Sequence, residues 1–595
     1  MDKLVNIKNA IVILLKASKV YFILMLVFSI ASSLPSVINL FVWKRILDLI
    51  YLFLTSEEKD YNLLIFYIFM HFGIAIFSSI FSRMTQYVKS IYSLIVQKYI
   101  SNEAMDAIDL MELEDLENYD IHNTIEKATG ESSDRMMALL SKFMELLQGV
   151  TSFIGMSGIL ISFNPLLYII VFFSVIPMGI YSQKYFSKLF QLYDKRTEKI
   201  RFRNELKSLI CRSDVFKEIK IFKNLQYIKN RINEINDDII DEDRHEKKKL
   251  NIQGIFSTMI ELILTYTLKG AVIILGVISK YSIGTINMNM ESATSIQSTT
   301  ANIVMIAISI YEDSLYLTSF SKLLQYKKQA LSKIERNKKT SIYEFEIETI
   351  ELVDVWFKYF GNAEYVIKNL SHKFTINKSY AIVGYNGEGK TTLIKIIMGL
   401  YKPQKGSILI NGRNIDEYDM DTYYRKISAI FQDFVKYPLT VKENIAMGNI
   451  NIMNNEEEVL SAAKQSCADV FIEQLPNKLE EKLIRGWANS TDLSIGQWQR
   501  IAIARAYVRE ATIIIFDEPS AALDAKTESK ILNQVALAKE GKIGIIITHR
   551  FLNIKKVDEI IVVNKGNIES CGTHEQLLEK SQVYAELYNS QKEMI

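Results

Sequence analysis

The run Gly384-Tyr385-Asn386-Gly387-Glu388-Gly389-Lys390-Thr391-Thr392 has the spacing G-x-x-x-x-G-K-[ST] of a loop that cradles a polyphosphate. The chemistry explains the residue types. Glycines let backbone N–H groups curl around phosphate oxygens without a side-chain clash. A helix opening at Thr392 adds its positive N-terminal end. Lys390 is placed to neutralise β- and γ-phosphates, and the Thr391 hydroxyl to ligate Mg2+. Much later, Ile513-Ile514-Ile515-Phe516-Asp517-Glu518 reads as a buried strand ending in two carboxylates. Asp517 suits the Mg2+ shell, and Glu518 suits a general base for an attacking water. His549 closes a further strand-like run, Ile545-Ile546-Ile547-Thr548-His549. A lone histidine there is ordinarily structural; the phosphate loop upstream makes this one a candidate contact to a γ-phosphate.

Such side chains converge only if the strands they end lie side by side. From about Ile347 onward the chain alternates β-rich runs (Tyr380–Val383, Ile427–Phe431, Ile513–Phe516, Ile543–Thr548) with helical ones. That alternation predicts a parallel-sheet α/β domain over residues 347–595. A linker at 326–346 precedes it, charged from Lys327 to Lys339.

Residues 1–325 read differently. Six apolar stretches approach the roughly 20 residues needed to span a bilayer as helix: Val20–Val42, Tyr61–Phe81, Phe143–Phe163, Leu166–Phe186, Ile255–Ile278 and Glu291–Leu317. Segments three and four are joined by the tight turn Asn164-Pro165, five and six by a short link at Tyr281–Gly284, one and two by an acidic link at Glu57–Asp60. Between two and three, and between four and five, lie long stretches dense in Lys and Arg, which the positive-inside rule places in the cytoplasm. The basic N-terminus, Met1 to Ser18, reads as an amphipathic helix on the inner membrane face and gives the same orientation. The long stretches have helical apolar periodicity, lack Pro and hold almost no Gly. Membrane helices that continue for about 30 residues extend roughly 45 Å into the cytoplasm. Each hairpin is expected to end in a short crossing helix, near Asn118–Thr129 and Cys211–Phe222. Within the membrane, His71, Glu261 and Lys269 are costly to bury and divide between cavity lining and structural pairing. Glu145 and Glu312-Asp313 are expected in solvated helix extensions, and Lys44-Arg45 near the outer end of the first helix.

Composition agrees with that segregation. The 595 residues are 49% hydrophobic and 23% charged, with a formal net charge of +2. That balance asks for no nucleic acid. The cysteines, Cys211, Cys467 and Cys571, fit neither a disulfide framework nor a paired metal motif.

One string ties the halves together. Leu493-Ser494-Ile495-Gly496-Gln497-Trp498-Gln499-Arg500 heads a predicted helix, Gln497–Val508. It resembles the LSGGQ signature of ATP-binding-cassette (ABC) proteins. The membrane half resembles the exporter branch, so the resemblance covers essentially the whole chain. It implies a polytopic α-helical membrane domain of six transmembrane helices with an α/β P-loop NTPase (ABC ATPase) domain, using ATP and Mg2+. On this resemblance Ser494, Gly496 and Gln497 join the nucleotide-binding set, with Ser494 and Gly496 at the γ-phosphate. Tyr359 is similar to the residue that stacks on adenine. Gln432 is similar to the glutamine linking metal and water to the membrane domain, and Ala521–Asp524 to the D-loop. Two departures stand out. Ile495 replaces a glycine, and Arg485–Asp492 does not match the TEVGERG-like stretch of many multidrug exporters.

The resemblance further implies half of a machine. A second half-transporter, as in a homodimer, closes its signature over the phosphates bound here. The expected role is alternating-access export of an amphipathic cargo through the lipid bilayer of a bacterial cytoplasmic membrane, with N-terminus and ATPase domain cytoplasmic. LS-x-GQWQ followed by IAIARA looks like exporters of lantibiotics and bacteriocins, so a modified peptide is the expected cargo. No peptidase domain precedes the first helix, so any leader is expected to be removed by another protein. The alternatives are a multidrug or lipid exporter or flippase, and a regulatory or channel-like ABC protein.

Overall fold

Long runs of Leu, Ile, Phe and Val without helix-breaking pairs give the first 337 residues an almost wholly helical backbone. A computed structural model describes residues 2–55, 61–130, 132–174, 176–337, 342–484, 488–518, 541–548 and 551–592. The link Glu57–Asp60, Arg485–Trp487, the stretch 521–524 and His549 lie outside the described residues, as does the side chain of Glu312. The chain divides into one unit of Met1–Asp109 with Asn123–Lys327, and another of Leu110–His122 with Lys328–Ile595.

The first unit is built from α1 (Asp2–Ala17), α2 (Lys19–Thr55), α3 (Tyr61–Asp109) and most of α5 (Tyr119–Gly130), whereas the short α4 (Leu113–Glu117) belongs to the second unit. It continues through α6 (Ser132–Phe163), α7 (Pro165–Ser174), α8 (Ile176–Cys211), α9 (Ser213–Phe222), α10 (Leu225–Ile278) and α11 (Ile283–Asn337). Among the described residues, five helical stretches are long and apolar enough to cross a membrane: Lys19–Thr55, Tyr61–Asp109, Arg135–Phe163, Leu225–Ile278 and Ile283–Ile310. The remaining expected span, Leu166–Phe186, falls across α7 and the start of α8. Many large apolar side chains face outward, Phe66, Phe69, Phe72 and Phe77 of α3 among them. That is the surface a lipid environment accommodates and water does not. With 54 residues, α10 is roughly 80 Å of helix, far more than a hydrocarbon core of about 30 Å.

Local chemistry sets the turns. The Asn164 side chain accepts from the backbone N–H of Leu166 at 2.9 Å, and Pro165 opens α7, an N-cap followed by proline. Gly284 lets α11 meet α2: its N–H donates to Asp48 Oδ1 at 2.9 Å, and a Cβ there would lie 2.3 Å from the Lys44 carbonyl oxygen. Beyond the apolar windows α8 and α10 pair through Arg196 with Glu242 and Asp243 at 2.8 and 2.5 Å, and Lys199 with Asp238 at 3.0 Å. The second expected crossing helix is α9. The stretch expected to hold the first, Asn118–Thr129, is covered by α5, and the Asn118 side chain caps the N–H of Asp120 at its start.

One expectation is corrected here. Asp313 is not in a solvated extension. It is buried, with Lys142 Nζ at 2.6 Å and Arg135 at 3.7 Å. These cations of α6 supply the counter-charge that lets a carboxylate leave water. The charged run from Lys327 is helical as far as Asn337, the end of α11. His71 pairs with Asn39 (Nδ1 to Oδ1, 2.6 Å) beside Trp43, and Lys269 lies over the Tyr266 ring.

Among the described residues, the second unit holds two sheets. Strands β1 (Thr349–Phe357), β2 (Ile367–Thr375), β4 (Lys405–Ile410) and β5 (Arg413–Asn414) form an antiparallel sheet in the order β2-β1-β4-β5. The other sheet has the order β10-β9-β3-β8-β7-β6. It comprises β3 (Lys378–Val383), β6 (Ile427–Ile430), β7 (Ile513–Asp517), β8 (Ile543–Ile547), β9 (Glu559–Asn564) and β10 (Asn567–Gly572). Its neighbours are parallel except β10, which runs antiparallel at the edge. The continuous apolar runs of β7 and β8 are buried throughout, as a parallel sheet covered on both faces requires. Helices α12 (Lys390–Ile397), α13 (Met420–Arg425), α14 (Val441–Ala446), α15 (Glu456–Gln465), α16 (Asp469–Ile472) and α17 (Ile495–Tyr507) complete the part that matters for the site. The last four share their own apolar core, around Val441, Phe471, Trp498 and Ile501.

Candidate nucleotide site

β3 is central in the parallel sheet and ends at Val383, so the loop after it emerges where α/β sheets bind ligands. Gly384 passes against the neighbouring strand β9: a Cβ there would lie 2.3 Å from the Val563 carbonyl oxygen. Gly389, at φ +95°, has the left-handed backbone that swings the chain into α12. Between them Tyr385, Asn386 and Gly387 are exposed. The Tyr385 hydroxyl donates to Glu586 at 3.2 Å, and the Glu388 carboxylate accepts from the backbone N–H of Lys565. Lys390 is only 6% exposed. Its ammonium donates to the carbonyls of Gly384 and Tyr385 at 3.0 and 2.8 Å.

The strand β7 carries Asp517 to the same place. Asp517 is 2% exposed, with the Thr391 hydroxyl near its carboxyl. Its Oδ1 is buried with no hydrogen-bond partner among the described residues. Burial pushes the Asp517 pKa up, against the downward pull of the Thr391 hydroxyl. Burial pushes Lys390 down, against the upward pull of Glu518, Asp517 and Glu388. Burial works against the charged form of each group, and bound ligands of opposite sign, a polyphosphate at Lys390 and a divalent cation at Asp517, offset it. The oxygen donors here, the Asp517 carboxylate, the Thr391 hydroxyl and the Gln432 amide oxygen, suit a hard cation such as Mg2+.

Glu518 stands one residue beyond the strand at φ +50°, a backbone region that non-glycine residues seldom occupy. Its N–H is tied to the Ile547 carbonyl at 3.0 Å, and its carboxylate accepts from Gln432 Nε2 at 3.0 Å. Parallel pairing of β6 with β7 brings Gln432 beside Glu518.

Tyr359 follows β1. Its hydroxyl lies 2.8 Å from the Thr392 hydroxyl, so the aromatic residue and the phosphate loop are neighbours. A cavity of about 400 Å³ lies beside it, lined by Glu114, Lys358–Ala363 and Gln404. Another, of about 520 Å³, runs from Asn362–Val366 to Gly387 and Glu388 of the loop. The Tyr359 ring meets Tyr401 edge-on, with centroids 5.5 Å apart. The Tyr401 hydroxyl in turn donates to Glu117 at 2.6 Å. This chain from α4 to the loop was not foreseen, because 284 residues separate Glu117 from Tyr401.

Ser494, Gly496 and Gln497 sit elsewhere, at the start of α17. Ser494 is its N-cap: the hydroxyl accepts from Gln497 N at 3.3 Å, and Gln497 Oε1 accepts from Ser494 N at 2.9 Å. This reciprocal capping box accounts physically for Ser and Gln at that spacing. Leu493 and Trp498 are buried, whereas Ser494 is exposed and Ile495 is 63% exposed. The segment before it is closed at its base by Glu481, which accepts from the Thr491 hydroxyl at 2.5 Å and from Asn477 Nδ2 at 2.8 Å.

Residues 367–521 match the family described as ABC transporter. The chain is 30% identical over 586 residues to the subtilin transport ATP-binding protein SpaT of Bacillus subtilis, spanning 96% of this chain and 92% of that one. It is 28% identical over 600 residues to the nisin transport ATP-binding protein NisT of Lactococcus lactis subsp. lactis, with 99% and 96% covered. The similarity to the ATP-dependent lipid A-core flippase of Desulfotalea psychrophila is 37%, over 42% of this chain and 43% of that one. A bacterial Atm1-family ABC exporter solved with ATP bound has a similar fold, with a TM-score of 0.70 at 20% identity over 97% of this chain and 98% of that one.

Proposed function

The chain belongs to the ABC transporter family, and from that premise we propose that it is one half of an ATP-driven peptide exporter. The observation that carries the reading is the meeting of Lys390, Thr391, Asp517, Gln432 and Glu518 at the carboxyl ends of adjacent parallel strands. ATP is the substrate. The loop amides and Lys390 bind its phosphates, and Tyr359 takes the adenine side. Thr391, Asp517 and Gln432 hold Mg2+, which supplies neutralisation of the charge on the transferring phosphoryl group. Glu518 accepts a proton from water as the water oxygen attacks the γ-phosphorus. The bond to the ADP oxygen breaks, leaving ADP and phosphate. Gln432 keeps the Glu518 carboxylate aimed.

Ser494, Gly496 and Gln497 act on the nucleotide of a second half-transporter. Their place at the exposed tip of α17, away from this chain's own loop, supports a site completed by a partner; a homodimer satisfies it. Six spans, domain limits near 325 and 347, and an inward-facing N-terminus complete the arrangement. A modified peptide is the cargo. Two relatives aligned over nearly their full lengths are named for subtilin and nisin, whereas the flippase similarity covers less than half of either chain.

The test is ATP hydrolysis by the protein in lipid vesicles, with lantibiotic-type peptides against drugs and lipids, and Lys390→Ala as reference. Peptide stimulation above a Lys390→Ala background supports the reading. Stimulation by drugs or lipids alone removes the peptide, and turnover unchanged in Lys390→Ala removes the site.

A further inference from the structure

At the strand ends away from the phosphate loop, two polar side chains occupy positions where the sheet pattern calls for apolar ones. On β2 the inward side chains alternate Leu370, His372, Phe374, and both neighbours of the histidine are fully buried. On β9 they alternate Glu559, Ile561, Val563, and again the later two are buried in the same core. Cys571 of β10 stands opposite Ile561 in the antiparallel register, which puts it on the face of Glu559, two residues along. His372 Nε2 is buried and makes no hydrogen bond among the described residues. Its ring is held edge-on by Phe374 and Tyr380, with centroids 4.8 and 5.9 Å away. One ligand atom each from His372, Glu559 and Cys571 falls within 4.8 Å of the others.

We propose that His372, Glu559 and Cys571 form a zinc site that clasps the antiparallel sheet to the edge of the parallel one. One imidazole nitrogen, one carboxylate oxygen and one thiolate sulfur are a borderline-soft donor set, which suits Zn2+ and not Mg2+ or Ca2+. The site is therefore separate in chemistry and in place from the Mg2+ ligands. Three protein ligands leave a fourth tetrahedral position for water. The exposed thiol gives the ion a route in from solvent. Binding forms an S–Zn bond and releases the thiol proton to solvent, with no change of oxidation state.

The experiment is a Co2+ titration of the full-length protein in detergent, read by thiolate-to-metal charge-transfer absorption, followed by Zn2+ displacement. We expect one Co2+ per chain, a band abolished by Zn2+, the same band in Cys211→Ser, and none in Cys571→Ser. His372→Ala should weaken the apparent affinity at least tenfold. A missing band, or one that survives Cys571→Ser, overturns the proposal. If Cys571→Ser does not fold, alkylation of the native protein decides. Zn2+ should slow modification of Cys571 and leave Cys211 unaffected; equal modification of Cys571 with and without Zn2+ also overturns it.

Discussion

Tyr401→Phe isolates the bond that holds α4 to the sheet core of its own unit. Tyr401 is 1% exposed, and its ring packs against Phe357 and Tyr359, with centroids 4.8 and 5.5 Å away. Phenylalanine keeps that volume and those contacts, so no cavity opens. What is lost is the hydroxyl's bond to Glu117 at 2.6 Å. Glu117 is exposed, so water replaces the lost donor and no charge is stranded. The net loss is therefore that of an ordinary hydrogen bond, about 1 kcal/mol. That makes opening of the Leu113–His122 segment about fivefold more frequent and leaves the sheet core as stable as before. Hydrogen–deuterium exchange with mass spectrometry reads both. Peptides covering 113–122 should exchange about fivefold faster, while those of β3 and β8 stay unchanged. Unaltered exchange in 113–122 refutes the reasoning. Equal acceleration in β3 and β8 refutes it too, because the loss is then global.

Glu518→Gln keeps the shape of the side chain and removes its basicity, so ATP binds while phosphate release slows by about 10²–10⁴-fold in single-turnover assays. Glu481→Gln turns an amide NH2 toward Asn477 or Thr491, both donors to the native carboxylate. Loss of one such buried bond should destabilise the cassette by about 1–3 kcal/mol, visible in thermal unfolding. The Thr491 bond, ahead of the opposing effect of burial, holds the Glu481 pKa below the usual glutamate range. Its contribution is therefore complete above that range and lost as pH falls through it, so wild type and Glu481→Gln should converge in stability on acidification. Gly284→Ala places a Cβ against the Lys44 carbonyl, an atom that cannot rotate away. A loss of about 1–3 kcal/mol is expected, read as a lower unfolding temperature in detergent.

The phosphate loop was legible because everything it needs is local: two glycines, a lysine and a threonine in fixed order between a strand and a helix. Asp517 was legible because a run of isoleucine ending in acid can only be a buried strand with a polar tip. The turn at Asn164-Pro165 and the helix α9 were legible for the same reason. The antiparallel sheet escaped notice because β1 and β2 mix charged residues with apolar ones, and pairing with β4 decides their conformation. Asp313 was misjudged because its partners Arg135 and Lys142 lie on another helix. The bond from Tyr401 to Glu117 and the grouping of His372 with Cys571 also depend on tertiary placement, for which neighbouring residues carry no signal.

Ile495 carries a thermal consequence. It stands bare at the tip of α17, where the related signature has glycine. In the two-copy reading that tip is covered each time the cassettes close, so every cycle removes a branched hydrocarbon side chain from water. Apolar burial is entropy-driven near room temperature and weakens on cooling. Closure in this transporter should therefore carry a more negative heat-capacity change, and lose more of its driving force in the cold, than in a relative with glycine at that position.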